Sequence, residues 1–242
     1  MSLKAVLFDF NGVIIDDGHI HSQLLDQILI EENLQPQKMS EGQVSLGRSD
    51  RGCWQELLQN RGRTPSVEYI NKLLHRKAQA YVQELEKIEK LPLYPGVEDL
   101  IYQVRWRNIK LGLVSGATRL EIKLVLEKAN LEEYFPVIVA GDDITTSKPE
   151  PEGYLLAIER LNQKYSDLNL QPQECLAIED TPGGIKAAKQ AQIQVVGVAN
   201  TYPFHMLHRW CNWTVDCLSD LDLSQVQELY GQKNLKLTKP GC

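Results

Sequence analysis

The sequence predicts an α/β fold: a Rossmann-like, doubly wound parallel sheet core with an inserted all-helical cap domain. Three observations carry this. Short apolar runs alternate with helical patterns along most of the chain, as βαβ units require. Four of those runs end directly in polar residues suited to chemistry. Between the first two runs lies a long stretch whose periodicity is helical throughout.

The first run is Ala5-Val6-Leu7-Phe8 and the second is Leu111-Gly112-Leu113-Val114, followed by a helical pattern through Leu120, Leu124 and Leu126. Val137-Ile138-Val139-Ala140, Cys175-Leu176-Ala177-Ile178 and Val195-Val196-Gly197-Val198 follow, and Trp213-Thr214-Val215 reads as a short edge strand. In residues 17–92, Leu24, Leu25, Ile28 and Leu29 form one helical stripe. Ile70, Leu73, Leu74, Tyr81 and Leu85 form another, at spacings of three, four and seven. The segment Leu91-Pro92-Leu93-Tyr94-Pro95-Gly96 then stops the helix. The expected division is residues 1–16 and 93–242 as an α/β catalytic core and 17–92 as a helical cap, hinged near Asp16 and Pro92. A cap over a crevice excludes water and supplies specificity.

A chain of 242 residues can bury a real core, and 43% hydrophobic with 24% charged residues is ordinary for a globular protein. The net charge of −6 argues against nucleic-acid or anionic-membrane partners, which need basic stripes. No apolar run approaches the roughly 18 residues that span a bilayer. Met1-Ser2-Leu3-Lys4 leads straight into a strand with no signal-peptide pattern. The five cysteines are odd in number, form no C-x-x-C pair and read as reduced thiols. The expectation is a cytoplasmic monomer whose partner is a small molecule.

In open α/β sheets, ligands sit just beyond the carboxyl ends of the strands. Asp9, Ser115, Asp142-Asp143 and Glu179-Asp180 each follow a run, so they are expected to converge on one crevice. A single acidic residue after a strand is usually a turn or cap; four such placements outweigh that reading. Asp9 opens the tight turn Asp9-Phe10-Asn11-Gly12-Val13, where its carboxylate can bind a cation and attack an electrophile. Glu179-Asp180 completes an oxygen-rich site of the kind magnesium prefers. Lys148 offers a point charge to Asp9 and to a phosphate. Ser115 with the backbone of Gly116-Ala117 opens a loop into a helix, a ready anion site. Thr181-Pro182-Gly183-Gly184 has proline and glycine where a loop meets a helix start.

The ordered set Asp9-x-Asn11-Gly12, Ser115, Lys148 and Glu179-Asp180 resembles the four motifs of the haloacid dehalogenase superfamily. The resemblance is closest to its β-phosphoglucomutase and phosphoglycolate-phosphatase-like branch, and it covers nearly the whole chain. It implies a phosphatase acting on a small phosphorylated metabolite through an aspartyl-phosphate on Asp9, with Mg2+ as cofactor. The metal ligands it implies are Asp9, the backbone carbonyl of Asn11, Asp180 and Glu179, the last directly or through water. Ser115 and Lys148 are implied to hold the transferring phosphoryl group. His21 falls where mutase-like members place a histidine near substrate. Gly47-Arg48-Ser49-Asp50-Arg51 matches the cap's substrate loop less closely, which makes Arg48 a candidate contact, and Lys77 matches a cap lysine. Against these stand the plainer expectations of a helix-head histidine at the surface and a solvated charged helix face.

Asn11 departs from the pattern. Sugar-phosphate members carry aspartate there as general acid and base, a role worth about 10² to 10⁴ in rate, or roughly 3 to 5 kcal/mol of barrier. An amide cannot transfer that proton, although a backbone metal ligand is unaffected. Several readings follow: a natural change with the substrate or His21 supplying the proton, C–P or C–halogen chemistry, an engineered trap, or a low-activity phosphometabolite-binding protein. A sugar-phosphate mutase shares every core residue. The hydrolase reading is preferred, because Glu179-Asp180 keeps the metal site that dehalogenases dispense with. Asn11-Gly12 is also a deamidation-prone pair, and Asp is expected to form at position 11 on storage.

Overall fold

Four consecutive apolar residues with no exposed member make β1 (Ala5–Phe8), the pattern of a strand covered on both faces. The remaining strands are β2 (Lys110–Val114), β3 (Val137–Val139), β4 (Cys175–Glu179), β5 (Gln194–Val198) and β6 (Trp213–Val215). They form one sheet in the order β3-β2-β1-β4-β5-β6, every pair parallel. The computed structural model describes residues 2–37 and 49–237, with side chains through Tyr230. Each strand falls within a residue of its expected run, and Trp213–Val215 is at the sheet edge as expected.

The sheet order reverses between β1 and β4. The chain winds from β1 through β2 to β3 on one side, then crosses to β4, β5 and β6 on the other. That reversal opens a crevice at the carboxyl ends of β1 and β4. Alternate residues of β1 feed opposite layers: Val6 and Phe8 join one apolar core, Ala5 and Leu7 the other.

Within residues 17–92 lie α1 (Gly18–Glu31), α2 (Asp50–Gln59) and α3 (Val67–Glu86). Ser49 and Ser66 start α2 and α3 by accepting from Gly52 N and Tyr69 N. The expected stripe on α1 is buried throughout. Leu25, Ile28 and Leu29 pack with Trp54, Leu57, Leu58, Ile70 and Leu73 in a cluster separate from the sheet's two layers. The chain leaves and returns at adjacent points: Asp16 N donates to Pro92 O at 2.8 Å, and Tyr94 N to Ile14 O at 3.0 Å.

The other α-helices among the described residues are α4 (Val97–Trp106), α5 (Arg119–Lys128), α6 (Glu152–Lys164), α7 (Pro182–Gln190), α8 (Phe204–Leu207) and α9 (Leu223–Leu237). On α5 the inward face differs from the expected Leu120, Leu124 and Leu126. A capping box between Thr118 and Glu121 starts the helix at Arg119, which turns Leu120 outward and buries Glu121, Ile122, Val125 and Leu126. Among the described residues no helix is long and apolar enough to cross a membrane. Among the described residues Cys53, Cys175, Cys211 and Cys217 are not in disulfides.

Candidate active site

Phe8 is in register with Ile178, so the residues that end β1 and β4 emerge side by side. Asp9 follows β1, Glu179 closes β4 and Asp180 follows it. All three are buried, and one oxygen from each lies within 4.8 Å of the others. Lys148 Nζ is 2.7 Å from Asp9 Oδ1 and 2.7 Å from Glu179 Oε1, and it also donates to Val114 O at 3.3 Å. Phe10 N donates to Asp9 Oδ1 at 2.8 Å, and the Tyr154 hydroxyl donates to Glu179 Oε1 at 2.6 Å. The Thr201 hydroxyl donates to Asp180 Oδ2.

One ammonium faces three carboxylates here, and the imbalance shows in their proton affinities. Burial pushes the Glu179 carboxyl up to about 7, with Asp9 adding to the rise against the pull of Lys148 and Tyr154. Burial, then Asp9 and Glu179, carries Asp180 well above the usual carboxylate range. Burial also disfavours the charge on Lys148, yet Asp9 and Glu179 outweigh it and hold that pKa above its ordinary value.

The donor set fits a divalent cation. Glu179 Oε2 and Asp180 Oδ1 are buried without a hydrogen-bond partner, a costly state unless something else meets them. An all-oxygen, multiply anionic set is what hard cations such as magnesium take. The backbone around it is shaped for close approach. A Cβ at Gly12, where φ is +80°, would lie 1.9 Å from Asp180 Oδ2, and one at Gly184 would lie 1.9 Å from Glu179 Oε2.

Ser115 follows β2, and its Oγ accepts from Ala117 N at 3.0 Å. Gly116 lines the same cavity of about 220 Å³ as Asp9, Asn11 and Asp180. Ser115, Gly116 and Lys148 also share a smaller pocket.

Asn11 belongs to a second polar cluster. Its Nδ2 donates to Asp17 Oδ1 and Oδ2 at 3.0 Å each. His21 Nε2 lies 3.1 Å from Asp17 Oδ2 and 3.1 Å from Asn11 Nδ2, and the Tyr81 hydroxyl donates to Asp17. The His21 ring stacks on Tyr81 at 4.8 Å between centroids, and its Nδ1 is buried without a partner. Burial alone would raise the Asp17 carboxyl, but His21, Tyr81 and Asn11 hold it below its usual range. Burial and Lys77 oppose protonation of His21, and Asp17 with Glu121 outweighs both, so the imidazole pKa is raised. The same contacts oppose the expected deamidation: the Asn11 amide is held, and Gly12 N, which would have to attack it, donates to Ile15 O at 3.0 Å.

The crevice thus gathers Asp9, Asn11, Ser115, Gly116, Lys148, Glu179 and Asp180, with His21 beside Asn11. Lys77 is not on a solvated face. It is fully buried, with Nζ 2.7 Å from Asp50 Oδ2 and 3.0 Å from Glu121 Oε1. Arg48 lies outside the described residues. The expected convergence of Asp142-Asp143 is corrected. Asp142 Oδ2 accepts from Arg119 N at 2.8 Å, while Asp143 pairs with Arg119 and, at 2.9 Å, with Arg160. β3 is the sheet's edge strand, with β2 between it and β1, and these aspartates tie α5 and α6 to that edge.

Four residues of the two clusters lie outside the set that the sequence marks for chemistry. Asp17 sits in the Asp16-Asp17 doublet, and Tyr81 falls within an apolar stripe. Tyr154 sits on the inward face of α6 with no local signal. Thr201 could have been found, because it lies in the loop just beyond β5, at the same end of the sheet as Asp180 beyond β4.

A family model described as haloacid dehalogenase-like hydrolase matches residues 6–198. A phosphorylated carbohydrates phosphatase of Thermotoga maritima is 30% identical over 200 residues, covering 82% of this chain and 87% of that protein. The β-phosphoglucomutase of Bacillus subtilis is 30% identical over 246 residues, covering 98% and 100%. Among solved structures, a β-phosphoglucomutase from Clostridium difficile superposes with a TM-score of 0.82 at 26% identity, over 96% of this chain and 99% of that one. The chain therefore belongs to the haloacid dehalogenase-like hydrolase family, on its branch of phosphatases and β-phosphoglucomutases.

Proposed function

We propose that this protein is a magnesium-dependent phosphatase of a small phosphorylated carbohydrate, with Asp9 as the nucleophile. The observation that carries the reading is the chain Asp9–Lys148–Glu179, two buried carboxylates bridged by one buried ammonium at the sheet's switch point. The similarity to a phosphorylated carbohydrates phosphatase and to a β-phosphoglucomutase supports the substrate class.

Phe10 N and Lys148 both meet Asp9 at Oδ1, which orients the carboxylate and leaves Oδ2 to attack phosphorus. The P–O bond to the leaving group then breaks, giving an aspartyl-phosphate that water hydrolyses. Ser115, the Gly116 backbone and Lys148 hold the phosphoryl oxygens. Asp9, the Asn11 carbonyl, Glu179 and Asp180 would hold magnesium. When bound, it would neutralise charge between the carboxylate nucleophile and the phosphate.

Asn11 cannot protonate the departing alkoxide, and we assign that proton to His21. Asp17 holds Nε2, which lies 3.1 Å from the Asn11 amide, and favours the imidazolium, while Nδ1 is buried without a partner. Residues 17–92 act as the cap over this crevice, and residues 1–16 and 93–242 as the catalytic core. Arg48 is assigned to the cap's substrate loop. A panel of sugar phosphates assayed for orthophosphate release with magnesium tests the reading. Asp9→Ala is expected to abolish release, and retention of magnesium-dependent activity in that variant would end it.

A further inference from the structure

Glu121 is a fully buried carboxylate on the inward face of α5, where a helix packed on a sheet ordinarily carries an apolar side chain. Its two oxygens have different partners. Oε2 accepts from Thr118 N at 2.9 Å and from the Thr118 hydroxyl at 2.8 Å, closing the capping box that ends the Ser115–Thr118 loop. Oε1 meets Lys77 Nζ at 3.0 Å, and that lysine comes from α3. Lys77 also meets Asp50 Oδ2 of α2 at 2.7 Å, and the main-chain N of Asp50 donates to Gly116 O at 3.2 Å. The loop is therefore tied to α2 and α3 at Gly116 and, through Glu121, at Thr118.

We propose that Lys77 is a positioning residue that clamps α3 to α5 through Glu121 and so keeps the Ser115–Thr118 loop in its phosphoryl-binding shape. This rests on the reading that Ser115 and Gly116 hold the phosphoryl group. The clamp works because its members are buried. Without the ammonium, Asp50 and Glu121 confront each other as two carboxylates with no cation between them, and either α2 and α3 move away from α5 or Glu121 lets go of Thr118. In either case the loop loses a fixed point. The ammonium is thereby committed to Asp50 and Glu121, and Lys77 acts on the substrate through the loop rather than by touching it.

The test measures orthophosphate affinity by calorimetry, with KM and kcat on one phosphoester substrate, in the magnesium-loaded full chain. Lys77→Met is expected to weaken orthophosphate binding about tenfold or more and to lower kcat/KM mainly through KM. Lys77→Arg, which keeps the charge, is expected to recover most of the loss. Glu121→Gln is expected to act in the same direction, and the double variant Lys77→Met/Glu121→Gln to bind no worse than Lys77→Met alone. A folded Lys77→Met protein that binds orthophosphate like the parent overturns the clamp. Should Lys77→Met fail to fold, parental affinity in Glu121→Gln overturns it instead. Ser115→Ala separates the two layers of the argument. If it leaves affinity unchanged, the phosphate-loop reading falls and takes the clamp with it. If it weakens binding while the Lys77 variants do not, the clamp alone falls.

Discussion

Asn11 directs its amide at a single carboxylate: Nδ2 is 3.0 Å from each oxygen of the fully buried Asp17. The position where the family resemblance implies an acid–base aspartate is here a donor that, after His21 and Tyr81, helps keep a different carboxylate ionised.

Asn11→Asp is therefore expected to do two opposing things. It supplies an acid–base group but removes both donor bonds and sets a second carboxylate against Asp17. Losing a buried partner of this kind costs about 1–3 kcal/mol. The melting temperature should fall in Asn11→Asp and recover in Asn11→Asp/Asp17→Asn, with the gain in turnover clearest in the double variant. Independent, additive effects of the two changes would show that the contact does not couple them.

His21 can be tested through the leaving group. A general acid matters when the departing oxygen is a strong base and little when it is a weak one. His21→Asn is expected to cut kcat on an alkyl phosphate by about 10² or more, and to leave turnover of p-nitrophenyl phosphate much less affected. Equal losses on both substrates would assign His21 to packing against Tyr81.

The carboxylate cluster makes a prediction about pH and metal. Glu179 titrates near 7 in the folded chain against an ordinary 4.5, and Asp180 is displaced in the same direction. Over that interval the folded state binds more protons than the unfolded, so stability falls as pH rises from about 4.5 to 7. Melting curves in chelator should show this fall, and magnesium should reduce it by binding the ionised cluster. The same pH dependence with and without magnesium would remove the metal from this site.

Gly184→Ala tests the shape of the same site. Its Cβ would lie 1.9 Å from Glu179 Oε2, while helix α7 itself accommodates alanine without difficulty. The variant is expected to stay folded, to lose the stabilisation by magnesium, and to turn over at about a tenth of the parental rate or less, ~1.4 kcal/mol of barrier. Unchanged magnesium stabilisation would mean that Glu179 can retreat without cost to the metal.

How legible was this in the sequence? β1 and β4 were plain because buried parallel strands are continuous apolar runs, and the polar residues ending them carry the chemistry. Asp143 had the same local signal as Asp180 and a different fate, because strand order is not written in any one run and β3 lies at the edge. Lys77 reads as a cap lysine near substrate or as a solvated helix charge, because its carboxylate partners sit 27 and 44 residues away in sequence. Asp17 stands next to the expected hinge at Asp16 and carries no signal of its own, and only the fold brings Tyr81 onto it from 64 residues away.

The central claim is covalent: Asp9 carries the phosphoryl group during turnover. Borohydride added during steady-state turnover reduces an aspartyl-phosphate to homoserine, and peptide mass spectrometry locates it. The expected result is conversion at position 9, dependent on substrate and magnesium and strengthened by the slow hydrolysis that Asn11 imposes. Orthophosphate release with residue 9 unmodified, and with activity persisting in Asp9→Asn, would contradict the account.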